Sequence, residues 1–385
     1  MRTGKPRRRP GSGTALAGLR PLRSVQAATA VVIGAQIPVI VTLAVLVPRG
    51  LGLLIVLPAA VLSRALLAAA ASPFALQPRS RAHLYFGIWP ALGWWAACAS
   101  YLVLAPLALL GAWLLKLPVA PCLAVVGAIS AFAGVRAIWR TPAIYRIKPR
   151  FPELPPALAG YRIAQISDIH CGTFAPEERV RDWVRRVNAL QPDLIAVTGD
   201  LIASGATHIA AVARALGELR APDGVFVVMG NHDYFGAGDI LVDALTRAGL
   251  RVLRNAAVPV RRGDATLLVA GVDDTWTGRC DPEQALATRS PDTFTLLLAH
   301  DPDVFPVAAR LGVALTLSGH THGGQVGIPF FAKYVNLAQL VSRYTAGMYR
   351  QGGSLLYVNR GAGTTGPPIR IGVRAEISLF TLRGA

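Results

Sequence analysis

Two regimes of hydrophobic patterning divide this 385-residue chain. In the first, apolar residues run almost without interruption. Ala27–Val47 is broken only by Gln36 and a few small polar residues, and is long enough to cross about 30 Å of hydrocarbon. Leu51–Ser72 is a second run, interrupted by Arg64, whose long side chain can reach the nearer interface. Leu84–Leu115 is longer than one crossing needs. Its early part, with Trp89, Trp94 and Trp95, suits an interface, and its later part a span. Val119–Ile138 is the fourth run, closed by Arg136, Trp139 and Arg140. The pattern predicts about four transmembrane helices over 25–140, after a basic, Gly- and Pro-rich flexible tail over 1–24. Residues 141–160, with PELPPAL at 152–158, read as a linker.

The second regime covers 161–385. Short buried-strand runs alternate there with amphipathic stretches. Strands are predicted at YRIAQISD (161–168), DLIAVTGD (193–200), GVFVVMGNHD (224–233), 266–272, 294–300, 313–318, 355–359 and 376–382. Helices are predicted over 176–190, 209–219 and 241–248. Val180, Trp183, Val184, Val187 and Leu190 fall on one face of the first helix. Alternation of this kind implies an α/β sandwich.

Charge sharpens the division. The formal net charge is +18, yet residues 1–150 hold 17 Lys and Arg and no acidic residue. Residues 151–385 hold 22 basic and 21 acidic residues. A basic, acid-free, aliphatic segment reads as membrane; a soluble bundle would carry acids on its exposed faces. A twin-arginine export signal is the rival reading of Arg7, Arg8 and Arg9. It is disfavoured because the apolar run begins only at about Ala27. Four spans put both ends on one side. The basic flanks in the tail, at Arg79 and Arg81 and over Arg136–Arg150 then face Arg49 and Lys116 across the bilayer. That asymmetry predicts a multi-pass inner-membrane protein with a cytoplasmic C-terminal domain. The near-neutral polar half lacks the basic footprint of a nucleic-acid binder. Cys98, Cys122, Cys171 and Cys280 form no CxxC pair, and no disulfide framework is expected.

The chemistry sits at the ends of predicted strands. SDIH supplies Asp168 and His170, and TGD supplies Asp200. GNHD supplies Asn231, His232 and Asp233. LLLAH supplies His300, and SGHTHGG supplies His320 and His322. Five of the seven histidines fall at such ends. Ligands bind at the carboxyl ends of strands in α/β sheets. Carboxylates and imidazoles suit Mn, Fe or Zn. So many candidates would crowd one ion, whereas two ions about 3.5–4 Å apart accommodate them. One residue of separation lets His320 and His322 face a site together if the segment is extended, and the flanking glycines permit unusual backbone angles.

In order, SDIH, GD, GNHD, the lone AH and GHTHGGQ resemble the calcineurin-like metallophosphoesterases. The likeness is to the bacterial membrane-associated branch with GHTHGGQ, and it extends to YVNRGAGTTGPPIR (357–370). That resemblance implies a four-layer α/β/β/α metallophosphoesterase sandwich over 161–385. It implies a first metal held by Asp168, His170 and His322, and a second held by Asn231, His300 and His320. Asp200 would bridge the two. His232 would stabilise the transition state or protonate the leaving oxygen, and Asp233 would orient His232. The implied function is a membrane-anchored, dinuclear-metal phosphohydrolase that cleaves a phosphoester or pyrophosphate bond with a metal-activated hydroxide. Its expected cofactors are two divalent ions, Mn, Fe or Zn. Its expected partners are membrane lipids and a phosphorylated small-molecule or lipid substrate, not nucleic acid. The alternative is a non-enzymatic membrane sensor or accessory protein with a structural metal site. Structural sites are closed, and His232 is not needed as a ligand, which argues for chemistry.

Other residues keep two readings each. Arg360 and Arg370 frame a Gly-rich loop and serve either as phosphate clamps or as loop supports. Trp276 and Phe235 are cleft walls or core. Asp273 and Asp274 form a turn after a strand or lie near the site. His208 reads as an exposed helix residue rather than a ligand, and Cys171 as a small buried side chain rather than a reactive thiol.

Overall fold

The computed structural model describes residues 34, 36–46, 82, 84–138 and 141–384, apart from 237, 291, 292, 328–330, 333, 341 and 367. The chain divides into two compact units, Met1–Ile138 and Trp139–Ala385.

The first unit contributes three described α-helices: α1 (Ile37–Leu46), α2 (Trp89–Leu115) and α3 (Val119–Ile138). A π-helical turn over Leu84–Ile88 leads into α2. Lys116 ends α2 in the left-handed conformation, φ 52°. Leu84–Leu115 and Val119–Ile138 are each long and apolar enough to cross a membrane. Small residues let α2 and α3 approach closely: a Cβ at Gly134 would collide with the Gly93 carbonyl and meet Ala97 at 3.0 Å. Two polar contacts reach α2 from the earlier segment. Trp94 Nε1–H donates to Gln36 Oε1 at 3.0 Å, and the Tyr101 hydroxyl donates to Thr42 Oγ1 at 3.1 Å. The expected tail over 1–24, the expected span over 51–72 and the start of the expected first span lie outside the described residues.

Two six-stranded sheets make up the second unit. In chain order the strands are β1 (Ala143–Ile147), β2 (Arg162–Ile166), β3 (Leu194–Thr198), β4 (Val225–Val228), β5 (Arg251–Val252) and β6 (Ala256–Arg262). They continue with β7 (Ala265–Gly271), β8 (Phe294–Leu298), β9 (Leu315–Ser318), β10 (Gly347–Gln351), β11 (Ser354–Val358) and β12 (Glu376–Thr381). The first sheet runs β1-β12-β2-β3-β4-β5 and the second β10-β11-β9-β8-β7-β6. β2, β3, β4 and β5 are mutually parallel, as are β7, β8, β9 and β11. β12 enters the first sheet antiparallel to β2 and parallel to β1. The residues expected as a linker therefore carry a strand. β1 pairs Ala143 with Glu376 through to Ile147 with Phe380, and Phe151 N–H then donates to the Arg383 carbonyl at 2.9 Å.

Period-two alternation decides which core each strand side chain joins. Ile163, Leu194, Ala196, Phe226 and Val228 of the first sheet share one core cluster with Leu267, Val269, Leu296, Leu298, Leu315 and Leu317 of the second. The opposite faces of β2 to β4 pack against α4 (Glu177–Asn188), α5 (Ile209–Leu216) and α6 (Gly238–Arg247). On the far side of the second sheet, Leu268, Ala270 and Leu297 pack with residues of α7 (Pro282–Ala285) and α8 (Phe305–Arg310). The parallel strands are buried along their length, which is why they read as unbroken apolar runs.

Candidate metal centre

Every candidate ligand sits a few residues beyond the carboxyl end of a parallel strand. Asp168 and His170 follow β2, Asp200 follows β3, and Asn231 follows β4. His300 follows β8, and His320 and His322 follow β9. The two sheets thus deliver their strand ends to one place. Asp168, His170, Asp200 and His322 form one group of potential metal ligands, and Asp200, His300 and His320 form another. Within each group the ligand atoms lie within 4.8 Å of one another, and Asp200 belongs to both.

The distances explain the sharing. Asp200 Oδ2 is 3.4 Å from His170 Nε2 and 3.4 Å from His300 Nε2. His170 Nε2 and His322 Nε2 are 3.0 Å apart, and His322 Nε2 is 3.4 Å from Asp168 Oδ1. His320 Nδ1 lies 3.2 Å from His300 Nε2. Asn231 Oδ1 is buried with no hydrogen-bond partner among the described residues. Nitrogen and oxygen lone pairs turned on one another, with an orphaned amide oxygen beside them, are the donor set of divalent cations. The residues fit two such ions.

Electrostatics keep most of the imidazoles ready to ligate. Burial pushes His170 down to about 3 and His320 down to about 4, and holds His322 well below its ordinary range. Neutral imidazoles offer lone pairs, which metal binding requires. His300 behaves differently: burial opposes its charge, but the adjoining Asp200 prevails and raises it. Burial likewise works against charge on Asp200, yet the facing histidines hold its carboxyl below the usual range. Burial pushes Asp168 up to about 6, partly offset by His300.

The backbone is bent to aim these groups. Nine non-glycine residues have positive φ among the described residues, and five are candidate ligands: Asp168, His170, Asp200, His320 and His322. Each left-handed residue costs about 1–3 kcal/mol, so the surroundings must enforce the shape. The expected extended H-x-H segment is corrected here. His320 and His322 are left-handed, φ 72° and 52°, while Thr321 between them is right-handed helical. The loops brace each other through backbone amides. His320 N–H donates to Asp168 Oδ1 at 3.0 Å, and His232 N–H donates to Asp200 Oδ1 at 3.0 Å. Glycine is required at 319 and 230, where a Cβ would overlap the Asp168 and Asp200 carboxylates respectively.

His232 lies beside both groups and in neither. Its Nδ1 meets the Ala203 carbonyl at 2.8 Å, and its Nε2 lies 3.5 Å from Thr365 Oγ1. Its ring centroid is 4.7 Å from that of His170. Asp233 does not orient that ring, contrary to expectation. Its fully buried carboxylate accepts the Leu201, Ile202 and Gly230 amides at 2.8, 3.1 and 2.9 Å. Asp233 therefore holds the Asp200 and Asn231 loops together. Burial pushes its carboxyl up to about 7, with Asp200 adding to the rise.

Beyond the ligand groups, a cleft of about 380 Å³ is lined by Trp276, Asp301, His320, Gln325 and Thr365, among others. Trp276 is 70% exposed and Phe235 46% exposed, so neither is core. Arg360 pairs with Glu376 at 2.5 Å and stacks on Tyr145, which makes it a loop support. Arg370 is buried beside His322. Asp274 caps a turn by accepting the Trp276 amide at 2.9 Å, and Asp273 pairs with Arg254 at 3.0 Å. Cys171 is buried and its thiol is pushed up to about 12 by burial, consistent with a packing role. His208 precedes α5 and joins neither ligand group. Sequence reasoning missed Gln325. It donates to the Thr365 carbonyl at 2.8 Å and accepts the Thr365 amide at 3.0 Å. The signal was the co-occurrence of GHTHGGQ with the closing NRGAGTTGPPIR.

Comparison with known proteins gives a consistent result. The calcineurin-like phosphoesterase family model matches residues 161–324. The uncharacterized metallophosphoesterase YkuE of Bacillus subtilis is 37% identical over 60% of this chain and 82% of its own length. A transmembrane protein with metallophosphoesterase domain from Bos taurus is 34% identical over 70% of this chain and 64% of its own. An uncharacterized metallophosphoesterase of Aquifex aeolicus is 34% identical over 58% of this chain and 85% of its own.

Proposed function

The chain belongs to the calcineurin-like phosphoesterase family, and from that membership we propose that it hydrolyses a phosphoester or phosphoric anhydride bond using two divalent ions. The observation that carries the reading is the pair of ligand groups sharing Asp200. Asp168, His170, Asp200 and His322 would hold one ion. Asp200, Asn231, His300 and His320 would hold the other. When bound, such ions supply Lewis acidity toward phosphate oxygens and lower the pKa of water.

The chain's own groups supply the rest. His232 is fixed at Nδ1 by the Ala203 carbonyl, so its Nε2 is the nitrogen turned to the reaction. In its protonated form it donates that proton to the departing oxygen. Asp233 keeps the ligand loops at their spacing through its three amide contacts. Asn231 offers a buried amide oxygen that no group among the described residues engages.

The apolar helices anchor the protein in a membrane as a multi-pass chain, and the phosphoesterase domain lies on the cytoplasmic side. Supporting this are two helices of spanning length and the basic flanks of the N-terminal half. A cysteine placed in the Gln351–Ser354 turn should be labelled only after lysis. Labelling from outside intact cells contradicts that side. The anchor, with the exposed Trp276 and Phe235, favours an amphiphilic, lipid-linked phosphoester as substrate. The test is a hydrolysis screen of purified full-length protein with added Mn, covering phospholipid headgroup esters, nucleotide-diphospho-lipids and soluble aryl phosphodiesters. Metal-dependent turnover, fastest on lipid esters, is expected. Turnover confined to soluble esters removes the lipid part, and none on any substrate removes the hydrolase.

A further inference from the structure

Arg370 is 6% exposed and forms no salt bridge with a carboxylate among the described residues. Burying a guanidinium without a contacting anion is expensive, and burial lowers its pKa to about 10, still charged at neutral pH. Its Nη protons go instead to backbone carbonyls, while Nε is buried with no hydrogen-bond partner among the described residues. Nη1 donates to His322 O at 3.2 Å. Nη2 donates to Gly361 O at 3.1 Å and Gly363 O at 2.7 Å, and lies 3.3 Å from His322 Nδ1.

Those carbonyls belong to the two segments that frame the first ligand group. His322 is one of them. The other is the 361–363 loop, where Ala362 N–H donates to Ser167 O at 2.9 Å and Gly363 N–H to Asp168 O at 2.8 Å. The loop has no slack. A Cβ on Gly361 would meet Asp168 Cβ at 2.7 Å and His322 Nδ1 at 3.2 Å. Contacts therefore run in a closed circuit from Asp168 through the loop and Arg370 to His322, and back to Asp168 across 3.4 Å. None of the Arg370 hydrogen bonds reaches Asp200, His300 or His320.

We propose that Arg370 is a positioning residue that fixes His322 with its Nε2 turned toward Asp168 and His170, and thereby sets the affinity of the first metal position alone. The inference rests on the two-ion reading above. One planar fork spans three carbonyls, which a lysine ammonium on a flexible stem cannot reproduce. A guanidinium has no acceptor for the His322 ring N–H, so Arg370 acts through the His322, Gly361 and Gly363 carbonyls, and groups that hold a metal ligand in place typically contribute about 10–100-fold in metal affinity.

The test is a calorimetric Mn titration of full-length protein in detergent, for the parent, Arg370→Lys and Arg370→Met, with the metal-free Tm measured alongside. The parent should bind two ions. Arg370→Lys should weaken one of them by roughly 10–100-fold and leave the other unchanged, and Arg370→Met should do the same wherever it folds. Parent-like affinity for both ions in Arg370→Lys overturns the proposal. So does equal weakening of both ions in step with a lowered metal-free Tm, which marks a general packing role. A parent that binds fewer than two ions overturns instead the reading on which the proposal stands.

Discussion

At the residue scale, what distinguishes His232 from its neighbours is that its ring joins neither ligand group: Nδ1 meets the Ala203 carbonyl and Nε2 faces Thr365 Oγ1 at 3.5 Å. Asp168, His170, Asp200, His300, His320 and His322 instead turn their ligand atoms on each other at 3.0 to 3.4 Å. His232 does not take part, so its loss should leave metal content intact while removing proton transfer. His232→Gln is expected to lower kcat by about 10²–10⁴-fold with both ions retained, read by steady-state kinetics beside elemental analysis. Parent-like kcat in that variant contradicts the role. The ligand set was legible because Asp, Asn and His at strand ends have few other reasons to cluster. Left-handed backbone at five ligands was not legible, because nothing in a one-dimensional pattern marks a non-glycine residue forced to positive φ. Asp233 was misread for a related reason. The family resemblance implied an orienting contact with His232, but the tight turn over Asn231–Tyr234 points its carboxylate at the amides of the β3 loop.

At the scale of elements, the sequence pattern located the inner strands and overlooked the outer ones. β1, β5, β6 and β10 were not expected, and they are the four edge strands of the two sheets. Inner strands are covered on both faces and spell continuous apolar runs. Edge strands are short or interrupted by polar residues: β5 has two residues, β6 contains Pro259, and β1 alternates half-buried with exposed positions. The consequence for β1 is a domain boundary placed too late. Phe151, in the presumed linker, is 4% exposed and packs edge-to-face on Phe294 with centroids 5.0 Å apart. Phe151→Ala should therefore destabilise the domain by about 3–5 kcal/mol, measured by denaturant unfolding. A neutral effect would return the segment to linker status.

For the whole molecule, the charge division and the compact units tell the same story: an acid-free apolar part and a charge-balanced α/β part. The two parts differ in composition, and that difference was readable without any structure. What sequence could not supply is how two sheets, each carrying an incomplete set of ligands, close around a shared carboxylate. That depends on long-range register, set where β11 leaves the second sheet and the chain returns as β12 in the first. The closing loop between them carries Gly361 and Arg370 to Asp168 and His322, with Arg360 tied to Glu376 at its base. The central claim is that Asp200 is common to two ion positions. Elemental analysis of Mn-reconstituted parent and Asp200→Asn, prepared side by side, tests it most directly. Two ions per chain are expected in the parent, with both weakened and turnover lost in the variant. A parent devoid of metal after reconstitution, or a variant that keeps both ions and full turnover, would contradict it.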